Sequence, residues 1–287
     1  MSKKKTVINK IIEARYSKLT LKSKKLAEFT LSHPEKAVFM TTRELAAAVE
    51  VSEATVVRFV RQLHYPSYAS FITSLKELID TRLTLIDREK LLPVFRSDDA
   101  ELERITNQDI ANIRAMSKKL DLSEVKKIKK ILKESEAIHV IGSRLSYAPA
   151  YYMGWIMTKV RKNVHILKGS DRTTIDWLTF ASKKSAVVIV ATSRYPNELI
   201  RMGKLAKRLK LKLILLTDSP SCPLVQFSDH VLVAPLQSIP FLGNPASLIS
   251  LINYLVHSLA ADMGEKLKIH QEQLEQAYLE NDILFYY

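Results

Sequence analysis

From Ala137 to Ser146 the chain reads AIHVIGSRLS. A short apolar run, Ala137–Ile141, stops at Gly142 and gives way to Ser143, Arg144 and Ser146, where a helical pattern begins and runs to Val160. The same alternation recurs downstream. Apolar, β-branched runs at Asn163–Leu167, Ala186–Thr192, Leu213–Thr217 and His230–Ala234 are separated by helical stretches at Thr173–Ala181, Asn197–Lys210 and, briefly, Pro223–Phe227. A last helical pattern spans about Pro245 to Met263. Continuous apolar strands spaced by helices are the pattern of a parallel sheet covered on both faces. The expected fold here is an α/β doubly wound, flavodoxin-like domain with a five-stranded parallel sheet. Its ligands should sit beyond the carboxyl ends of the strands.

Upstream of that stretch the texture differs. The six glycines all fall at or after Gly142, so the first 141 residues contain none. Residues 1–80 read as an all-α region: an apolar-sided helix through Leu21, Leu26, Ala27, Phe29 and Thr30, stopped near His33-Pro34, then patterns at Thr42–Val49 and Glu53–Leu63. Tyr65-Pro66-Ser67 breaks the last of these before a further helix through Leu78. Periodicity lapses around Pro93–Asp99. Residues 101–134 return to helix, with Ile105, Ile110, Ile113, Met116 and Leu120 as the expected buried stripe. The expected division is residues 1–80, a helical linker 81–122, and the α/β domain 123–287.

At 287 residues, 47% hydrophobic and 26% charged, the composition excludes a disordered or collagen-like chain. The lone Cys222 excludes an internal disulfide framework. Lys3, Lys4 and Lys5 are not followed by an uninterrupted apolar segment, and Leu248–Ala261 is too short to span a bilayer. The expected location is therefore the cytoplasm, with no membrane partner. A net charge of +14 points to a polyanion. Residues 1–80 hold 14 Lys+Arg against 8 Asp+Glu, about twice the net charge per residue of the remainder.

That basic front contains a two-helix motif, Thr42 to Leu63, joined by a three-residue turn with Ser52 placed to cap the second helix. In the second helix Val56, Val60 and Leu63 recur at i, i+4, i+7 and should pack. Ala54, Arg58 and Arg61 recur on another face, flanked by Thr55 and Gln62, with Thr42 opening the first helix. Small, hydrogen-bonding and basic groups on one helical face suit a major groove. The expected DNA-binding set is Thr42, Ser52, Ala54, Thr55, Arg58, Arg61 and Gln62. A plain helical hairpin with a solvated basic face fits the periodicity equally well.

The segment Leu19–Leu78 resembles the N-terminal domain of RpiR-type bacterial transcriptional regulators. The match rests on Glu44-Leu45-Ala46, Val51-Ser52-Glu53-Ala54-Thr55-Val56-Val57-Arg58-Phe59, and the approach His33-Pro34-Glu35 with Phe39-Met40-Thr41. Glu50 stands at the turn where that family usually has glycine.

A second constellation lies at the strand ends. Gly142-Ser143-Arg144-Leu145-Ser146 and Ser193-Arg194-Tyr195-Pro196 each open a helix, and adjacent strand-end loops would converge on one anion-binding crevice. Solvated turn residues are the plainer reading. The region from about Val125 to Met263 is similar to the sugar isomerase (SIS) domain of RpiR-type regulators, notably through Leu216-Thr217-Asp218-Ser219 and His230-Val231-Leu232-Val233. The resemblance implies that Ser143, Ser146 and Ser193 contact a phosphorylated sugar. Arg144 and Arg194 replace glycines of the usual pattern, so a different small acidic metabolite is equally open. The expected effector set is Ser143, Arg144, Ser146, Ser193, Arg194 and Tyr195.

Together these features imply a DNA-binding transcriptional regulator that senses a small anionic metabolite. A homodimer or homotetramer follows from the family and from the need to pair operator half-sites. The rival readings are a sugar-phosphate isomerase with an accessory helical domain, and a protein-binding module. No zinc-type helix, Cys-His cluster or nucleophile elbow is present, so neither enzyme activity, cofactor nor metal is expected. His139 and His165 read as packed strand residues. His257 with Glu198 or Asp218 is a conceivable acid–base pair, and Phe285-Tyr286-Tyr287 a conceivable dimer contact.

Overall fold

The computed structural model describes residues 7–38, 40–72, 74–75, 98–236 and 244–283. The chain divides into two compact units, Met1–Asp87 and Arg88–Tyr287.

The first unit is helical: α1 (Val7–Arg15), α2 (Leu21–Ser32), the single turn α3 (Pro34–Ala37), α4 (Thr42–Ala48) and α5 (Glu53–Gln62). Residues 68–72 are also helical. Proline ends α2 and opens α3, as Pro at the first helical position needs no N–H partner. The core collects Ile8, Ile12, Leu26, Leu45, Val56, Phe59, Leu63 and Phe71, each at most 1% exposed. Phe71 makes edge contacts with Phe59 and Tyr65 at 5.8 and 5.7 Å between ring centres.

The first described elements of the second unit are α6 (Asp98–Lys119) and α7 (Leu122–Glu134). The continuous helix expected over 101–134 is broken at Asp121, whose carboxylate caps α7 by accepting from Ser123 N and Glu124 N at 2.8 and 3.3 Å. The expected stripe also needs correction. Met116 is buried, but Ile110 is 40% exposed and the buried positions include Asn112. The helix therefore turns a face containing Asn112 and Met116 to the core, and packs against α11 (Ala246–Met263).

Five strands follow, β1 (Ile138–Gly142), β2 (Val164–Lys168), β3 (Ala186–Ala191), β4 (Lys212–Thr217) and β5 (His230–Val233). All pair in parallel in the order β2-β1-β3-β4-β5. The order reverses between β1 and β3, which opens a crevice at their carboxyl ends. Ile138, Val140, Val188, Val190, Ile214 and Leu216 face α7, α8 (Tyr147–Thr158) and α11. Ile141, Val187, Ile189, Leu213 and Leu215 face α9 (Arg172–Thr179) and α10 (Asn197–Arg208). The segment expected as a short helix at Pro223–Phe227 is a 3-10 turn, Val225–Phe227. By length and composition α11 could cross a membrane, but Leu248, Leu251, Ile252, Leu255 and Leu259 are fully buried against the sheet. A helix that the sequence reading lacks, α12 (Glu265–Glu280), follows α11 after Gly264. Leu78 and the aromatic tail Phe285-Tyr286-Tyr287 lie outside the described residues, as does most of the Pro93–Asp99 segment.

Candidate functional site

The two-helix motif is built by local hydrogen bonds. Thr41 and Glu44 form a reciprocal cap on α4: Glu44 N donates to Thr41 Oγ1 at 3.2 Å and Thr41 N to Glu44 Oε2 at 2.7 Å. At the other end Val51 N reaches Ala46 O and Glu50 N reaches Ala47 O, the paired bonds of a Schellman termination. Its left-handed residue is Glu50, at φ 56°. Ser52 then caps α5, accepting from Thr55 N at 3.3 Å. Leu45 and Ala46 on α4 meet Val56, Phe59 and Val60 on α5, all at most 3% exposed.

This packing decides which predicted DNA contacts reach solvent. Ser52, Ala54, Arg58 and Arg61 are exposed together on α5. Thr55 is 7% exposed and its hydroxyl lies 2.9 Å from Ser52 Oγ. Gln62 turns inward, its Oε1 accepting from Ser23 Oγ at 2.9 Å. Thr42 is half-buried and donates to Glu53 Oε2 at 2.9 Å. The structure thus separates Thr55 and Gln62 from the basic face. It adds Val57, 39% exposed between Ala54 and Arg61, which sequence periodicity overlooked although 54, 57, 58 and 61 share helical spacing.

In the second unit the two predicted loops do meet. Gly142 ends β1 under the following turn; a Cβ there would lie 2.5 Å from both Ser146 O and Ala150 Cβ. Ser146, 2% exposed, ties the β1 loop to the β3 loop by accepting from Thr192 N at 3.1 Å, with its hydroxyl 3.0 Å from Thr192 Oγ1. Arg144 and Arg194 are exposed, both left-handed at φ 53° and 65°. The loops therefore keep the backbone conformation that glycine would favour while carrying guanidinium groups.

The remaining hydroxyls are engaged by two carboxylates whose part in the crevice sequence reasoning missed. Ser143 Oγ donates to Glu198 Oε1. Ser193 donates to Asp218 through its N–H at 2.9 Å and through its hydroxyl, and Tyr195 OH donates to Asp218 Oδ1 at 2.9 Å. Burial, and next the Asp218 charge, hold the Tyr195 phenol far above its ordinary range, so it remains a donor. Glu198 also sits against Gly169, at φ 61°, where a Cβ would approach its Oε2 to 2.7 Å. In sequence, Glu198 read as an acidic residue favouring a helix N-terminus, and it does lie in the first turn of α10. Its reach across to the β1 loop had no local signal.

The acid–base possibilities contract. Glu198 and Asp218 are committed to hydroxyl donors, and His257 is exposed on α11. Burial pushes the Cys222 thiol up to about 11, which leaves it protonated near neutral pH. Among the described residues, no group of three or more His, Cys, Asp or Glu side chains is arranged to hold a metal.

Comparison with known proteins supports the regulator reading. Residues 6–81 match the model of the helix-turn-helix domain, rpiR family, and residues 131–261 match that of the SIS domain. The chain belongs to the RpiR-type transcriptional regulators. An HTH-type transcriptional regulator of Haemophilus influenzae is 25% identical over 235 residues, 81% of each chain. Among solved structures, the NanR protein of Vibrio vulnificus, complexed with ManNAc-6P, aligns over 95% of this chain and 98% of its own, at TM-score 0.57 and 19% identity. The sugar isomerase domain of an RpiR transcription factor from Sphaerobacter thermophilus covers 60% of this chain and 97% of its own, at TM-score 0.58 and 20% identity. At these identities the structural matches establish the fold of both parts of an RpiR-type chain.

Proposed function

We propose that this regulator places α5 in the major groove of an operator, with Arg58 and Arg61 on phosphates or guanine edges and Ala54 and Val57 against bases. The observation that carries the reading is the exposed Ala54–Val57–Arg58–Arg61 face, set behind a tight turn and backed by the buried seam between α4 and α5. Residues 1–80 serve as the DNA-binding part and 123–287 as the effector-binding part, connected through 81–122, in a cytoplasmic homo-oligomer.

The effector is a small hydroxylated anion of the sugar-phosphate class. Arg144 and Arg194 take its anionic group, while Glu198 and Asp218 accept from its hydroxyls in place of Ser143, Ser193 and Tyr195. Support comes from the convergence of these side chains at the β1/β3 switch point, and from the ManNAc-6P held by the Vibrio vulnificus protein of the same fold. The chain acts as a sensor rather than an isomerase: the relatives that share both of its parts are transcriptional regulators, and the nearby thiol is held protonated.

Gel shifts with the protein's own upstream DNA over a salt series test the first half. Selective binding should weaken steeply with salt, and Arg58→Ala or Arg61→Ala should each lower the log–log salt slope by about 1 if the lost contact is to phosphate. Absence of selective binding at low salt would overturn it. Melting shifts with hexose and amino-sugar phosphates test the second half: stabilisation should be lost in Arg144→Ala/Arg194→Ala.

A further inference from the structure

We propose that α12 is a self-association arm, which pairs antiparallel with α12 of a second copy across a twofold axis. The inference rests on the homo-oligomer reading above and gives it a surface.

None of the 16 residues of α12 is buried. The helix holds to its own unit along one edge. Leu267 packs on the core, His270 Nε2 lies 2.8 Å from Thr158 O, and Tyr278 OH meets Lys159 Nζ. The opposite edge carries Ile269, Glu272, Gln276 and Leu279, a three–four spacing that keeps them on one line, and Ile283 follows just past the end of the helix. Its apolar members Ile269 and Leu279 are 49% and 53% exposed, and Ile283, beyond the helix, is 60% exposed. An edge with that spacing and that much bare aliphatic surface is built to meet another helix rather than water.

Charge selects the occupant. Lys266 and Lys268 lie with Glu265 in the first turn, which is net positive, whereas Glu272, Glu275, Glu280 and Asp282 lie in the later part or just beyond it. A parallel copy would set like charges side by side. An antiparallel copy centred near Leu274 lays Ile269 against Leu279 of the second copy and Glu272 beside its Gln276. The same register brings Lys266 and Lys268 alongside Glu280 and Asp282 of the second copy. Apolar and charge matching thus agree in one register, and the twofold axis makes each contact twice. The charged pairs flank the seam in solvent, so they serve mainly to fix orientation and partner.

Light scattering after size exclusion tests this on the full chain. Wild type should elute at a multiple of the 32.7 kDa protomer mass. Lys266→Glu/Lys268→Glu and Glu280→Lys/Asp282→Lys should each fall to half the wild-type mass with unchanged circular dichroism. An equimolar mixture of the two variants should regain the wild-type mass, because both flanks of the mixed pair are then complementary. Variants that keep the wild-type mass would place the interface elsewhere and overturn the proposal, leaving the oligomer reading intact. Reduced mass without recovery on mixing would also overturn the pairing. A monomeric wild type would remove both.

Discussion

Among the described residues, seven non-glycine residues hold a positive φ: Glu50, His64, Arg144, Asn163, Arg194, Lys210 and Asp282. Four of them, Glu50, His64, Lys210 and Asp282, terminate α4, α5, α10 and α12 through the same paired bonds, as in Tyr65 N to Val60 O with His64 N to Arg61 O. The backbone geometry is that of a glycine cap, supplied without glycine in a chain that has only six. A side chain in that conformation costs about 1 kcal/mol. Glu50→Gly, His64→Gly and Lys210→Gly should therefore each stabilise the protein by up to about 1 kcal/mol, reduced by the extra freedom glycine gives the unfolded chain. Urea midpoints rising at all three sites would support this; a fall at any one would show that its side chain earns its place by a contact.

His139 presents the reverse situation. It is 2% exposed on β1, and neither ring nitrogen has a hydrogen-bond partner. Its ring stacks on His165 at 5.1 Å, and Trp177 covers His165 at 4.4 Å. Burial, aided by His165, lowers its pKa from 6.5 to about 4. The folded state thus prefers neutral His139, so the unfolded chain binds more protons between those values. Stability should be complete above about pH 6.5 and fall as pH drops towards 4, by at most about 3 kcal/mol. Burial lowers His165 in the same direction. His139→Leu should flatten most of that pH dependence, read by Trp177 fluorescence in urea titrations at several pH values. An unchanged slope would assign the acid sensitivity to other groups.

Elements differ in how much of them a sequence discloses. All five strands fall within a residue of their expected ends, because a sheet buried on both faces demands unbroken apolar runs such as Ala186–Ala191. The packed face of α5 was equally plain, since Val56, Val60 and Leu63 repeat at helical spacing. What stayed hidden depends on neighbours. Asp121 breaks α6 from α7 by a side-chain bond, and α12 lacks a dense apolar stripe because its body contacts are few. The crevice was half legible: Ser143, Ser146 and Ser193 sit at strand ends, but Glu198 lies 55 residues from the serine it meets. The element most sensitive to one atom is α5. Ser52 caps it and also partners the nearly buried Thr55 hydroxyl. Ser52→Ala should cost about 1–2 kcal/mol, from the lost cap and the orphaned hydroxyl together. The loss should appear in far-ultraviolet dichroism but not in tryptophan emission, because Trp155 and Trp177 both lie in the second unit. Loss in both signals would mean that the two units unfold as one.

For the whole molecule, the proposed function divides the net +14 between two anionic partners of different size. The exposed Arg58 and Arg61 of α5 are proposed to face a long polyanion, and the exposed Arg144 and Arg194 of the strand-end loops a small one. A regulator must couple the two, and coupling is reciprocal: if the effector changes operator affinity by some factor, the operator changes effector affinity by the same factor. Allosteric couplings are typically about 1–3 kcal/mol, or roughly 5–150-fold. The operator dissociation constant should therefore shift by a factor in that range between zero and saturating sugar phosphate, with either sign. The effector constant, measured by calorimetry with and without operator, should shift by the same factor. Arg144→Ala/Arg194→Ala should remove the effect of sugar phosphate on operator binding while leaving effector-free operator affinity near wild type, because neither arginine lies in the first unit. A sugar phosphate that binds the crevice yet leaves operator affinity unchanged would not be the signal. A double variant that still responds to it would place the sensing site away from the β1/β3 switch point.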